Sequence, residues 1–176
     1  MFTTKKNPES IADSDNKTEN INSDSFTYEL SSFKKESKHC NEAKNQCAEV
    51  AVQYPFYQSN GAKFINSVIQ NTVKDALYTV ISEEKSPNIS IEKMTELIIE
   101  NYNGFVEDFS NTREKWDIKV SVISTFQKGN ILSLSFNTDY YTGGAHSNSD
   151  ITYKVINVKS NKILKLNELI SDKKQL

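Results

Sequence analysis

The stretch DYYTGGAHSN, residues 139–148, joins two predicted strands and decides how the last third of the chain folds. Two tyrosines end an alternating apolar strand, two glycines interrupt it, and a small polar run with one of the two histidines follows. Because glycine adopts backbone angles that other residues rarely take, we predict that Gly143 and Gly144 are structural residues of this joint. The same stretch carries the candidate ligand-binding residues Tyr140, Tyr141 and His146.

Alternation of apolar and polar residues predicts strands on both sides of the joint. Before it, strands near 116–122 and 132–140 are separated by the tight turn 127–130, which indicates a hairpin. After it, residues 151–155 alternate and predict a third strand. The apolar phase then shifts at Ile156, which predicts a β-bulge.

The N-terminal half predicts a hairpin followed by two helices. Strands near 26–31 and 47–56 follow each other closely, so they should pair antiparallel. Pro55, which has no N–H group, suits a strand end or an edge. From Gly61 apolar residues recur every three or four positions and predict one amphipathic helix. The segment 86–88 should interrupt the helical structure, and Ser90 should cap a second helix.

These elements predict an α+β fold, in which two long helices pack on one face of an antiparallel sheet made of the N-terminal hairpin and three C-terminal strands. Residues 25–176 form this single domain. Residues 1–24 are polar and charged with few apolar residues, which predicts a disordered tether that is either a spacer or a leader without a role. Asn167 is positioned to cap a further short helix.

Composition excludes two classes of partner. The chain has 21 basic and 23 acidic residues among 176, with a net charge of -2, which disfavours nucleic acid. No run of 18 or more apolar residues is present, so we expect no membrane-spanning segment in this chain. Residues 1–10 lack the features of a secretory signal.

Cys40 and Cys47 flank the loop of the N-terminal hairpin. They are spaced to form a disulfide, which stabilises a fold by about 2 kcal/mol by restricting the unfolded chain. Two free buried thiols, or a metal or redox site with His39, are the alternatives, although the spacing matches neither redox motifs nor usual zinc pairs. We favour the disulfide, which indicates an oxidising compartment.

Candidate catalytic groups are sparse. His146 either contacts a ligand or metal beside Asp139, or hydrogen-bonds neighbouring backbone and holds the joint in shape; a lone histidine favours the second interpretation. The carboxylate pairs at 83–84 and 107–108 are adjacent on helices, so their side chains diverge and suit a solvated surface. We therefore assign no catalytic residue and expect neither a metal nor a cofactor.

Four motifs together resemble one protein family. They are Tyr54-Pro55 closing an early strand, Ile65-Asn66 in the next helix, Tyr141-Thr142-Gly143-Gly144-Ala145-His146, and Leu166-Asn167-Glu168-Leu169. They are similar to the RsiV/PdaC-like extracytoplasmic domain family (domain of unknown function 3298, with a preceding 4163-type region). The resemblance runs from about Phe26 to the end, and only the third motif is specific. Cys40 and Cys47 also resemble a pair found in some relatives.

This resemblance implies a non-catalytic binding or sensing domain of a bacterial cell-envelope lipoprotein. Its implied ligand is a protein or cell-wall glycan, with a lysozyme-like muramidase as one candidate. The alternative is an accessory domain of an envelope polysaccharide hydrolase or deacetylase, or that enzyme itself. The implied location is the periplasm or cell surface, with lipid or membrane anchoring through a leader outside this sequence. Because the family domain continues past Asn167, we expect truncation at the C-terminal end.

Overall fold

The computed structural model describes residues 26–38, 40, 46–58, 62–81, 89–109 and 114–170. The predicted tether, His39, Gly61, the break at 86–88 and the carboxylate pair at 83–84 lie outside these residues. Nine elements follow in order: β1 (Tyr28–Glu36), β2 (Ala48–Tyr57), α1 (Ala62–Ile81), α2 (Ile91–Asp108), β3 (Trp116–Lys128), β4 (Ile131–Tyr141), β5 (Asn148–Asn157), β6 (Lys162–Leu164) and α3 (Leu166–Leu169).

The strands form one six-stranded sheet in the order β1-β2-β3-β4-β5-β6, which confirms the α+β fold. Four of the five neighbouring pairs are antiparallel, but β2 and β3 run parallel. The order of the strands had predicted only antiparallel pairing. Parallel strands need a long crossover connection, and the two long helices between β2 and β3 provide it.

The core lies between one face of the sheet and the two long helices. α1 packs on β2, β3 and β4, and α2 packs on β1 and β2. Every second residue of the central strands is buried against them, because side chains of a strand alternate between its faces. Fully buried examples are Val50 of β2, Ile118 of β3, Leu132 and Leu134 of β4, and Ile156 of β5. The opposite face of the sheet, called here the open face, is not covered by either long helix.

The N-terminal hairpin is longer than predicted. The first strand was predicted near 26–31, but β1 continues to Glu36 and includes the charged residues Lys34 and Lys35. Pro55 lies inside β2, opposite Leu30 of β1, but the pairing of β2 with β3 ends at Gln53. Pro55 therefore occupies a part of the strand with a single neighbour, where the missing donor is tolerated.

The disulfide between Cys40 and Cys47 is present, as predicted. It closes the connection between β1 and β2. Next to it, Ser37 is buried, and its hydroxyl accepts a hydrogen bond from the Ala48 N–H at 3.0 Å. The connection between the two strands of the hairpin is thus fixed both covalently and by hydrogen bonding.

The helix boundaries follow local chemistry. Ser90 caps α2 as predicted, since its hydroxyl accepts a hydrogen bond from the Lys93 N–H at 3.1 Å. Asn66 of α1 bonds the backbone of Tyr57 twice, accepting from its N–H at 2.9 Å and donating to its carbonyl at 2.8 Å. This side chain ties the first helix to the end of β2. Among the described helices, none is long and apolar enough to cross a membrane.

Two local predictions in the last third were wrong. The register of β4 and β5 is continuous, so no bulge occurs at Ile156; the irregularity lies in β3, between Ser124 and Phe126. The apolar residues of β5 change sides at Ile156 for another reason: from this residue on, the helix-facing side of the strand is buried. The last helix begins at Leu166 with Lys165 as its cap, so Asn167 lies within it.

Candidate functional site

The loop of residues 142–147 joins β4 to β5 at one end of the sheet. Gly143 and Gly144 have φ angles of 97° and 103°, in a region that side-chain-bearing residues rarely adopt. The Tyr141 hydroxyl donates a hydrogen bond to the Gly144 carbonyl at 2.9 Å. The last residue of β4 therefore closes the loop onto itself, as expected for a structural joint.

Glu114, just before β3, supports this loop from below. Its carboxylate Oε2 lies 3.4 Å from the Tyr141 hydroxyl, and 3.1 Å from the position that a Cβ atom on Gly143 would occupy. Its backbone carbonyl accepts a hydrogen bond from the Tyr102 hydroxyl of α2 at 3.2 Å. Tyr102 in turn packs edge-on against Trp116, with ring centroids 5.4 Å apart. The loop is thus connected to the aromatic end of α2.

The three predicted ligand-binding residues do not converge. Tyr140 faces the helices and packs against the core, whereas Tyr141 lies on the open face opposite Asp117. His146 is exposed, and its Nδ1 lies 3.1 Å from the carbonyl of Ser147. The structure therefore brings Tyr141 and the glycine pair together and leaves His146 at the solvent side of the same loop.

A strip of charged groups extends from the loop along the open face. Lys119 and Asp139 are cross-strand partners, and Asp117 forms an ion pair with Lys119 at 3.1 Å. Asp139 accepts a hydrogen bond from the hydroxyl of Ser149, its partner on β5. Asp139 is thus engaged with neighbouring strands rather than with His146.

The hydroxyl of Tyr141 keeps its proton at neutral pH. Burial raises the pKa of the Tyr141 hydroxyl, and the charge of Glu114 and its hydrogen bond act in the same direction. A tyrosine with a raised pKa keeps its proton at neutral pH and acts as a hydrogen-bond donor. In the described parts of the chain, no group of three or more His, Cys, Asp or Glu side chains is placed to hold a metal ion.

A cavity of about 230 Å³ lies elsewhere, between β1, β2, α1 and the start of α2. Its floor includes Phe33 and Tyr54, whose rings stack with centroids 6.1 Å apart, and Lys74 and Glu92 supply charges of both signs. Burial raises the pKa of Tyr54. The cavity contains none of the predicted site residues and is separate from the loop.

The family model described as deacetylase PdaC matches residues 41–149, a range that includes the whole loop of residues 142–147. The chain belongs to the PdaC family. This membership indicates an extracytoplasmic cell-envelope domain, and the disulfide between Cys40 and Cys47 agrees with an oxidising compartment. The finer resemblances, to RsiV and to a 4163-type region, stay predictions.

Two solved structures share the fold of this PdaC-family chain. A DUF3298 family protein from Pseudomonas aeruginosa PAO1 has a TM-score of 0.55 and 13% identity over 82% of this chain and 57% of that one. A DUF3298 family member from Bacteroides fragilis NCTC 9343 has a TM-score of 0.54 and 17% identity, covering 83% and 62%. The chain thus spans less than two thirds of either structure. No curated protein matches it.

The supporting residues of this PdaC-family site could not be found from its sequence pattern. Glu114 precedes Trp116 in a segment without a motif, and it lies 27 positions from Tyr141. Tyr102 is one of the buried residues of α2, and nothing in the sequence separates it from an ordinary core residue. The one feature of the site that the sequence could have shown is the divergence of the two tyrosines. Alternation along β4 requires Tyr140 and Tyr141 to face opposite sides of the sheet.

Proposed function

We propose that this chain is a non-catalytic binding or sensing domain of a cell-envelope protein, with the loop of residues 142–147 as its contact surface. The proposed ligand is a muramidase or a glycan of the cell wall. We further propose that the domain is held at the envelope by a lipid or membrane anchor. One observation carries this proposal: the loop is fixed from below by Tyr141 and Glu114 while residues 144–147 are exposed.

A loop fixed in this way is suited to recognition. Association costs free energy when a flexible segment has to become ordered, and a preorganised loop avoids part of this cost. The exposed His146 ring and the polar group of Ser147 offer hydrogen bonds, and the neighbouring strip of Asp117, Lys119 and Asp139 offers charges of both signs. Such a surface suits a polar ligand.

The test is a binding measurement with two probes, immobilised lysozyme and insoluble peptidoglycan, at moderate salt. We expect retention of the chain by at least one probe, and weakening by about fivefold in His146→Ala, since one lost polar contact typically corresponds to about 1 kcal/mol. Lys128→Ala is the control, because Lys128 is also exposed and ends β3 opposite Ile131, the first residue of β4, far from the loop. This variant should bind like the parent.

Two results contradict the proposal. The first is the absence of retention on both probes at micromolar concentration. The second is retention that His146→Ala and Lys128→Ala leave equally unchanged, since the contact surface then lies away from the loop. Thermal unfolding of each variant shows whether a loss of binding reflects a loss of fold.

An accessory or catalytic domain of an envelope polysaccharide deacetylase is the second candidate function. The description of the matched family as a deacetylase favours it. It predicts release of acetate from peptidoglycan by the chain itself, or a gain in such release when the chain is joined to a deacetylase domain. Binding without either effect supports the sensing domain instead.

A further inference from the structure

Most of β5 forms an unpaired edge of the sheet. β6 pairs with β5 only from Val155 to Asn157, so the seven residues Asn148–Lys154 have no strand partner on the side away from β4 within the described residues. This segment contains no proline and no bulge, the two features that commonly protect an edge strand. The opposite edge strand, β1, differs because it ends in the charged run Lys34, Lys35 and Glu36.

Large apolar side chains stand along this edge on the open face. Ile151 is 58% exposed and Tyr153 is 64% exposed. Ile123 of β3, 54% exposed, lies in the same row as Tyr153, with Ser135 of β4 buried between them. Neither long helix covers this face, so an apolar patch borders directly on unpaired backbone hydrogen-bonding groups.

We propose that β5 pairs antiparallel with β5 of a second copy of this chain, around a twofold axis at Ile151. The pairing register follows from the length of the edge. Paired residues of antiparallel strands face the same side of a sheet, so the axis must pass through a residue position. Only an axis at Ile151 pairs all seven open residues and keeps the partner clear of β6, which begins opposite Val155.

This register is complementary to itself. On the open face, Ile151 meets its own copy, and Tyr153 of each chain lies diagonal to Ile151 of the other. On the helix-facing side, Lys154 is paired with Asn148 and is diagonal to Asp150, within reach of a long side chain. Lys154 is in none of the ion pairs among the described residues, and Asp150 is exposed and accepts a hydrogen bond from the Thr152 hydroxyl at 3.2 Å. A second copy therefore covers apolar side chains and brings opposite charges together.

The interface is small, which sets the expected strength. Seven paired residues in each copy are fewer than the roughly 20 to 30 per side of a stable interface. The dimer should therefore be weak and dependent on concentration, as in transient isologous contacts. It is independent of the proposed binding function, because it uses the edge of β5 and not the loop of residues 142–147.

Sedimentation velocity from micromolar to near-millimolar concentration tests the proposal. We expect a monomer–dimer equilibrium in the parent chain and a dissociation constant about tenfold or more higher in Ile151→Lys, where two like charges meet on the axis. Ile123→Lys is the matched control, with a similarly exposed isoleucine on the same face but two strands from the edge. It should dimerise like the parent.

A geometric readout complements this measurement. Ile151→Cys should cross-link across the axis under mild oxidation and run as a dimer on a non-reducing gel, whereas Ile123→Cys should stay monomeric. A parent chain that is monomeric at every concentration overturns the proposal and leaves the edge to a strand of another polypeptide. Equal loss of dimer in both lysine variants, or equal cross-linking of both cysteine variants, also overturns it.

Discussion

Replacing Gly143 by alanine should destabilise the domain more than replacing Gly144. Both residues have φ angles near 100°, so each alanine forces a rarely adopted backbone conformation that costs about 1–3 kcal/mol. They differ in their surroundings. A Cβ atom at 143 would lie 3.1 Å from Oε2 of Glu114, whereas a Cβ atom at 144 would meet nothing within 4 Å. Moving Glu114 away from Tyr141 weakens their contact, so Gly143→Ala should cost about 0.5–1 kcal/mol more.

Urea unfolding of the oxidised chain measures this difference. The excess loss of stability in Gly143→Ala should disappear when each alanine is introduced separately into a Glu114→Ala chain. The Glu114 carboxylate is the only neighbour that makes the two positions differ. His146→Ala serves as a loop control and should stay within about 0.5 kcal/mol of the parent, since His146 is exposed. An excess that persists without the Glu114 carboxylate refutes the contact. Alanine variants as stable as the parent refute the backbone conformation itself.

The remaining predictions concern the fold. Replacing both Cys40 and Cys47 by serine removes a cross-link between residues with a sequence separation of 7. The free energy of unfolding, measured in urea, should fall by about 2–3 kcal/mol. An unchanged value would contradict a stabilising disulfide. Burial raises the pKa of Tyr57 to about 12, whereas an unfolded tyrosine titrates near 10. The contribution of Tyr57 to the free energy of unfolding should thus be constant below pH 10 and fall as the pH rises from 10 to 12, so that the parent loses about 2 kcal/mol more than Tyr57→Phe over this range. Parallel pH profiles would refute this.

The local parts of the fold were predictable because their causes are local. The β3–β4 hairpin follows from alternation on both sides of a glycine-containing turn, and Gly129 there has a φ of 55°. The start of α2 follows from a single serine, Ser90, placed before an amphipathic run. In each case a few adjacent residues determine the structure, so one sequence is sufficient.

The parallel pairing of β2 and β3 could not be predicted in the same way. Alternation shows that a segment is a strand but not which way its neighbour runs. The direction depends on how the two helices cross the sheet, and thus on packing between residues far apart in sequence. The two hydrogen bonds of Asn66 to Tyr57 illustrate the problem, because an asparagine inside a helix gives no sign that it bonds a strand end.

The candidate site was predicted only in outline. Gly143 and Gly144 were predicted as a structural joint because glycine pairs are rare in this chain and the conformational freedom of glycine has a clear use there. The supporting residue Glu114 was not, because a carboxylate acquires that role only through the pairing of β3 with β4. The predicted binding roles of Tyr141 and His146 stay predictions, and the packing of Tyr140 against the core leaves it less available to a ligand.

The loop of residues 142–147 determines the register of β5 on β4, and this register determines which side chains lie along the open edge of β5. Pairing of Tyr140 with Asn148 fixes which side of the sheet every later residue of β5 faces. A slip of one residue would exchange the two faces, so that Ile151 and Tyr153 would point to the helix side and Ile156 would leave the core. The positive φ angles of the glycine pair give the loop the shape that joins β4 and β5 in the observed register. The loop therefore also determines which side chains β5 places on the open face.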